Sequence, residues 1–159
     1  MWALVHFKRA NINCDVLCRV YQIMLRPLLE YCHVIYNSML SKEQSEKLES
    51  LQKRALKIVY GFGFTYEDLL TKAGMQKLQE RREDACLKFA KKLSSSDRFR
   101  SYFPLNDQCR QVTRNKKTYI EEYARTSRLY DSPLFYFRRI LNACNDEDEE
   151  NLESIFTET

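Results

Sequence analysis

The chain has 159 residues, of which 44% are hydrophobic, enough for one modest core. Only three glycines and three prolines occur among many Leu, Lys, Glu, Gln and Arg residues, which favours helices and excludes a turn-dense sandwich or barrel. No stretch approaches the ~20 apolar residues that span a bilayer, so no membrane partner is expected.

Charge is unevenly distributed along the chain, although its formal net value is only +4. Residues 146 to 159 contain seven acidic residues and no Lys or Arg, so residues 1 to 145 hold 26 basic against 15 acidic residues, an excess of +11. This excess favours a polyanionic partner, RNA or DNA, although surface solubility accounts for part of it. The acidic composition predicts a disordered tail, which we place at residues 143 to 159.

The first elements along the chain are predicted to be helical. Residues 2 to 10 have the pattern of the end of a helix that begins upstream of Met1, and a turn follows at residues 11 to 13. From Asp15, apolar residues recur at intervals of three and four, which predicts a long helix whose core-facing side continues through a kink at Pro27. The residues on that side are Leu17, Tyr21, Met24, Leu28, Cys32 and Ile35.

A second helix is predicted between Ser41 and Gly61. Ser41 and Gln44 have the spacing of a capping box, and Gly61 is a natural stop. Glu43 with Lys47 and Glu49 with Lys53 are spaced for ion pairs on the helix surface. The expected buried stripe consists of Leu48, Leu51, Ala55, Ile58 and Val59.

Two more helices are predicted at residues 65 to 74 and 78 to 93. Thr65 opens the shorter one, which has acidic residues in its first turn, and Gly74 ends it. The longer one has one apolar face and a cationic line on another face. We therefore expect an all-α fold, a small bundle of about four main helices over residues 1 to 93.

We treat residues 94 to 142 as one region. Residues 97 to 132 within it show no sustained helical period. Arg98 to Arg139 contains ten basic and four acidic residues, mixed with Tyr and Phe. We interpret this region as an irregular, basic and aromatic extension that closes with a short helix opened by Pro133. Its cations could neutralise phosphates while its rings stack on bases, and packing of the rings onto the helical body is an equal alternative.

The sequence lacks the groups that polymerase or nuclease chemistry needs. Two-metal catalysis requires gathered carboxylates, whereas Tyr66-Glu67-Asp68 lacks a second adjacent aspartate and lies at a helix start. The cysteines have no zinc-type spacing, and Gly61-Phe62-Gly63 is better explained as a helix terminator than as a nucleotide-binding loop. We expect no enzyme activity, metal or cofactor. Reduced thiols and the lack of a signal-peptide core indicate an intracellular protein, with nucleus and cytoplasm undistinguished.

Several basic side chains are candidates for contact with nucleic acid, each with a simpler alternative. Lys53, Arg54 and Lys57 also lie where positive charge stabilises a helix C-terminus. The line formed by Arg81, Lys88 and Lys92 could be only a solvated helix face. From the extension we add Arg114, Lys116, Lys117, Arg125 and Arg128.

Two segments carry a family resemblance: Tyr21-Gln22-Ile23-Met24-Leu25-Arg26-Pro27-Leu28-Leu29-Glu30-Tyr31-Cys32, and Leu48-Glu49-Ser50-Leu51-Gln52-Lys53-Arg54-Ala55. In order and spacing the chain resembles non-LTR retrotransposon reverse transcriptases of the jockey and CR1-like groups over about residues 1 to 142. The resemblance covers their thumb and C-terminal extension, so it implies binding of template and primer without the catalytic Tyr-x-Asp-Asp box.

The resemblance also orders the candidate contacts. It makes Arg26, Lys53 and Arg54 the first choices for phosphate contact, followed by Arg81, Arg82, Lys91 and Lys92. It implies that the two thumb helices are held together by Leu25, Leu28, Tyr31, Leu48 and Leu51.

These features predict a catalytically incomplete reverse transcriptase fragment that binds RNA, DNA or their hybrid without sequence specificity. A missing polymerase palm region is a further possible partner. The alternative is a helical protein-interaction module or a translated remnant without function. The sequence leaves open whether Met1 is a true start and whether the product is expressed.

Overall fold

The computed structural model describes residues 1–106 and 117–144, and in this part of the chain the fold is all-α, as predicted. The only strand-like pairing there is one isolated antiparallel bridge between Leu105 and Tyr119. No helix in the described ranges is long and apolar enough to cross a membrane. The acidic residues 146–159 and the candidates Arg114 and Lys116 lie outside the described residues.

The chain forms two compact units. The N-terminal unit comprises Met1–His33 and Leu40–Glu83, and the C-terminal unit comprises Val34–Met39 and Asp84–Thr159. This division falls inside the fourth expected helix, whereas the sequence suggested a division between residues 93 and 94.

The described residues contain more helices than the four expected main ones, although the helices predicted at residues 41 to 61, 65 to 74 and 78 to 93 keep nearly their expected lengths. In the N-terminal unit they are α1 (Trp2–Arg9), α2 (Cys14–Val20), α3 (Arg26–Leu29), α5 (Lys42–Tyr60) and α6 (Tyr66–Ala73). Helix α4 (His33–Tyr36) has all but its first residue in the C-terminal unit, and α7 (Leu78–Ser94) contributes residues 78–83 to one unit and 84–94 to the other. The C-terminal unit also holds α8 (Ser127–Tyr130) and α9 (residues 133–144).

The long helix predicted from Asp15, with a kink at Pro27, reaches only Leu29 and is not regularly α-helical throughout. A π-helical turn, Tyr21–Leu25, separates α2 from α3, and the Arg26 amide donates to the Tyr21 carbonyl across it. This wide turn lies directly before Pro27, whose ring would crowd the carbonyl of Ile23 in a regular helix. Helix α3 ends at Leu29, and Cys32 adopts a left-handed conformation with φ of 54°.

The wide turn also changes which side chains face the core. Leu17 and Tyr21, which precede it or open it, are fully buried as predicted. The continuation of that face was wrong, because an extra residue in one turn rotates every later side chain about the helix axis. Met24, Leu28, Cys32 and Ile35 are exposed.

Local start signals are confirmed for α5 and α6. Ser41 Oγ accepts from the Gln44 amide, and the Gln44 side chain accepts from the Ser41 amide. Thr65 and Asp68 form the same reciprocal cap at the start of α6, and Gly74 ends α6 with φ of 59°. These caps satisfy amides that have no partner within the helix.

The core of the N-terminal unit is built from α1, α2, α5 and α6. Its buried apolar side chains are Leu4, Leu17, Cys18, Tyr21, Ala55, Leu56, Val59, Leu69 and Leu70. The buried stripe of α5 is rotated from the predicted one, since Gln52 and Leu56 are buried while Leu51 is exposed. Two of the five residues expected to join the thumb helices, Leu28 and Tyr31, are also mostly exposed.

The C-terminal unit packs its extension onto helices. Its core contains Cys86 and Ala90 of α7, Phe103, and Phe137 and Leu141 of α9. Asn142 joins the irregular chain to α9, because its side chain accepts from the Tyr119 amide at 2.9 Å and donates to the Tyr119 carbonyl at 3.1 Å. The closing helix after Ser132 is thus as predicted, whereas residues 107–116 of the extension lie outside the described residues.

Candidate nucleic-acid interface

The strongest cationic surface of the N-terminal unit is the C-terminal half of α5. Lys53 and Arg54 are exposed and Lys57 is half-buried. Residues 51–60 contain no acid, and no carboxylate in the described part of the chain lies within ion-pair distance of these three side chains. Lys53 Nζ lies 5.8 Å from the centre of the Tyr66 ring, and this contact leaves the ammonium group open to solvent.

The first half of α5 differs, because one of its two lysines is paired. Lys47 Nζ lies 2.7 Å from the Glu43 carboxylate, as the spacing predicts. The second predicted pair, Glu49 with Lys53, does not form. The Glu49 carboxylate instead accepts the backbone amides of Leu78 and Gln79, at 3.2 Å each, and the Tyr66 hydroxyl.

Three other predicted contacts in the N-terminal unit are engaged within the protein. Arg26 is half-buried, with Nη1 3.9 Å from the Met75 sulfur. Arg81 forms an ion pair with Glu30 at 2.6 Å. Arg82 is 1% exposed and donates to the Ser45 hydroxyl at 2.8 Å.

The burial of Arg82 corrects its predicted role. A phosphate cannot reach a guanidinium that the fold encloses, so Arg82 is a structural residue in this conformation. The sequence spacing explains why Arg82 is buried. It lies four residues after Leu78 and four before Cys86, so it shares a helix face with two fully buried residues.

The C-terminal unit presents a second group of exposed cations on α7. Lys88, Lys91 and Lys92 are all exposed, and intervals of three and four residues place them along one side of the helix. No carboxylate in residues 1–106 or 117–144 forms an ion pair with them. Phe89 lies between them and packs edge-on against Phe137 at 5.8 Å.

The candidates of the extension are divided. Lys117 is paired with Glu121 at 2.7 Å, whereas Arg125 and Arg128 are exposed. The aromatic residues of the extension are divided between packed and exposed rings. Phe103 is buried and meets Tyr119 edge-on, whereas Tyr102, Tyr123 and Tyr130 are mostly exposed.

A buried polar network beneath the α5 surface was missed in the sequence. Gln52 is 1% exposed, and its Oε1 accepts from the Tyr21 hydroxyl at 2.9 Å. Its Nε2 donates to the Tyr66 hydroxyl and to the Gln76 carbonyl, both at 3.0 Å. This network joins α5 to the π-helical turn, to α6 and to the segment before α7 that contains Gln76.

Burial suppresses ionisation of the two tyrosines in this network and of Tyr60. Burial is the largest cause that raises the pKa of Tyr21, and burial followed by the hydrogen bond to Glu49 raises the pKa of Tyr66. Desolvation, followed by a hydrogen bond with Cys18, likewise raises the pKa of Tyr60 to about 12. All three groups therefore remain neutral near pH 7 and act as hydrogen-bonding groups.

The acidic residues at the start of α6 act as a helix cap. The Thr65 hydroxyl donates to the Asp68 carboxylate at 2.6 Å, and this bond is the largest cause that lowers the pKa of Asp68. Among the described residues no group of three or more His, Cys, Asp or Glu side chains is arranged to hold a metal ion. No protein family, curated protein or solved structure matches the chain.

Proposed function

We propose that this chain binds the sugar-phosphate backbone of RNA or DNA without sequence specificity. The observation that carries the proposal is that α5 and α7 each present exposed cations without acidic partners among the described residues, Lys53 and Arg54 on α5 and Lys88, Lys91 and Lys92 on α7. Unpaired Lys and Arg side chains can replace the counterions of a phosphate chain, and their release drives association. The excess of +11 over residues 1 to 145 has the matching sign.

The family resemblance gives this binding a context. As a thumb and extension of a non-LTR retrotransposon reverse transcriptase, the chain would grip template and primer while the palm, which it lacks, would perform the chemistry. We propose a non-enzymatic fragment on this basis. A primer-extension assay with the chain alone is expected to yield no product.

The binding test compares two double variants of one helix. Lys53→Gln/Arg54→Gln removes two unpaired charges from the C-terminal half of α5. Lys42→Gln/Lys47→Gln removes two positive charges from its N-terminal half, where Lys47 is paired with Glu43. Both change the net charge equally. Fluorescence anisotropy with a labelled single strand, titrated at several salt concentrations, separates a local contact from a general charge effect.

The first variant is expected to lower the salt slope of log K by about 1.4, because each lost phosphate contact on a single strand contributes ~0.7. The second variant is expected to change the slope by less than about 0.4 on the same scale. Equal losses would indicate that only net charge matters. Absence of binding by the parent chain at low salt would contradict the proposal.

A protein-interaction module is the second candidate, favoured by one exposed apolar surface. Ile23, Met24, Leu28 and Tyr31 of the N-terminal unit are each more than 60% exposed. Apolar groups gathered on a surface favour association with another protein. If this surface determines function, self-association or capture of a partner will persist at high salt and will be lost in Leu28→Glu, while nucleic-acid binding will be absent.

A further inference from the structure

The loop Gly61–Phe64, directly after α5, carries two exposed aromatic rings. Phe62 is 76% exposed and Phe64 is 40% exposed. Gly61 has φ of 108°, a conformation that side chains rarely adopt, and its amide donates to the Lys57 carbonyl at 2.9 Å. The loop therefore begins one helical turn, about 5.4 Å along the axis, from the cationic end of α5.

The two rings differ in what contacts them. Lys72 of α6 places Nζ 3.1 Å from the centre of the Phe64 ring, so one face of that ring is occupied by a cation. No ring or cation of the described residues lies against Phe62. Most of the Phe62 ring is therefore available to a ligand.

The surroundings of the loop are cationic. Lys53, Arg54 and Lys57 precede it on α5, and Lys72 lies beside it. Of the two acids at the start of α6, Asp68 accepts hydrogen bonds from the Thr65 amide and hydroxyl. Four cations of α5 and α6 thus flank the loop in sequence, against two acids at the start of α6.

The combination selects one kind of ligand. Between residues 53 and 74, Phe62 and Phe64 are the only large hydrophobic side chains that are exposed, which is too small a patch for a typical protein interface. A single ring among cations suits an unpaired base, because the ring stacks on the base while neighbouring cations bind phosphates. A duplex keeps its bases stacked inside and offers the ring no partner.

We propose that Phe62 is a base-stacking residue and that the α5 surface with its following loop binds single-stranded nucleic acid in preference to duplex. This inference rests on the proposed function, to which it adds the class of ligand. Phe62 supplies the contact to bases, and Lys53, Arg54 and Lys57 supply the contacts to phosphates.

The test uses the full chain and three labelled probes measured by anisotropy: an oligothymidylate, an abasic strand of equal length and charge, and a duplex. Phe62→Ala is expected to weaken binding of oligothymidylate about 5- to 100-fold, the usual loss for one stacked base. Binding of the abasic strand and the duplex is expected to stay unchanged. Tyr31→Ala, which removes a ring of the N-terminal unit that is 75% exposed, is the matched control and should have no effect.

A second measurement reports the contact directly. Trp2 is the only tryptophan, so Phe62→Trp in a Trp2→Phe background places a single fluorophore in the loop. Oligothymidylate is expected to quench it, whereas the abasic strand is not. Far-UV circular dichroism should match the parent chain, since Phe62 is largely outside the core.

The outcomes separate the two proposals. If Phe62→Ala binds oligothymidylate as well as the parent while Lys53→Gln/Arg54→Gln weakens it, the stacking inference is overturned and backbone binding stands. If the parent chain binds none of the three probes at low salt, both fail. If Phe62 is required only for binding to anionic lipid vesicles, the loop is a membrane-surface element and the inference is overturned.

Discussion

Replacing Gln52 by Leu tests whether the buried polar network holds the N-terminal unit together. Leu has a similar volume, so the change removes three hydrogen bonds and leaves little cavity. The Tyr21 hydroxyl loses its acceptor and the Gln76 carbonyl loses its donor, while the Tyr66 hydroxyl keeps Glu49. Each buried group left without a partner costs about 1–3 kcal/mol, and the added apolar contact offsets part of this, so a net loss of about 2–4 kcal/mol is expected.

The assay is urea unfolding of the full chain followed by circular dichroism. A lower midpoint with an unchanged m-value is expected, because the variant alters stability and leaves the surface exposed on unfolding the same. Gln79→Leu is the matched control, since the Gln79 side chain bonds only Glu83 at the surface, and its effect should stay within ~0.5 kcal/mol.

A double-mutant cycle with Tyr21→Phe identifies the hydrogen bond itself. The two single losses should sum to more than the double loss, because both variants remove the same bond between Tyr21 and Gln52. A loss of less than about 1 kcal/mol in Gln52→Leu, or full additivity in the cycle, would refute the role assigned to the network.

Three further predictions concern the helix ends. Ser41→Ala should destabilise the chain by about 1 kcal/mol, measured by urea unfolding, because the Gln44 amide loses its cap, whereas Ser41→Asp should retain most of the stability. Gly74→Ala should cost about 1 kcal/mol on the same assay, since Gly74 has φ of 59°, and Gly63→Ala, at a position without positive φ, should cost less. The pKa of Asp68 is lower in the folded state than its ordinary value of 3.8, so its carboxylate contributes stability above that value, and this contribution is lost as pH falls through the folded-state pKa. Asp68→Asn should therefore lose less stability than the parent chain below about pH 4. The same loss of stability in acid for Asp68→Asn and the parent would refute this assignment.

Local chemistry made the caps predictable. A Ser or Thr side chain three residues before Gln or Asp satisfies amides within a single helical turn, so the starts of α5 and α6 depend on neighbours in sequence. The same holds for Gly74, whose left-handed conformation is a property of one residue. The exposed cations of α5 and α7 were also found, because spacing alone places them on a common side.

Tertiary packing decided what spacing could not. Pro27 indicated a kink, but the π-helical turn that relieves it lies upstream and rotates Met24 and Leu28 out of the core. Gln52 and Arg82 show the same limit, because a polar side chain is buried only where another element supplies its partner. Gln52 meets Tyr21 and Gln76, and Arg82 meets Ser45, all distant in sequence.

The amino-acid sequence by itself determined the helical class, the helix caps, the uneven charge and the cationic sides of α5 and α7, since each depends on residues a few positions apart. Only the tertiary structure decided which cations remain open to a ligand and that no other ring of the described residues packs against Phe62. Solvent exposure depends on what packs against a side chain, and that is set by contacts between elements far apart along the chain.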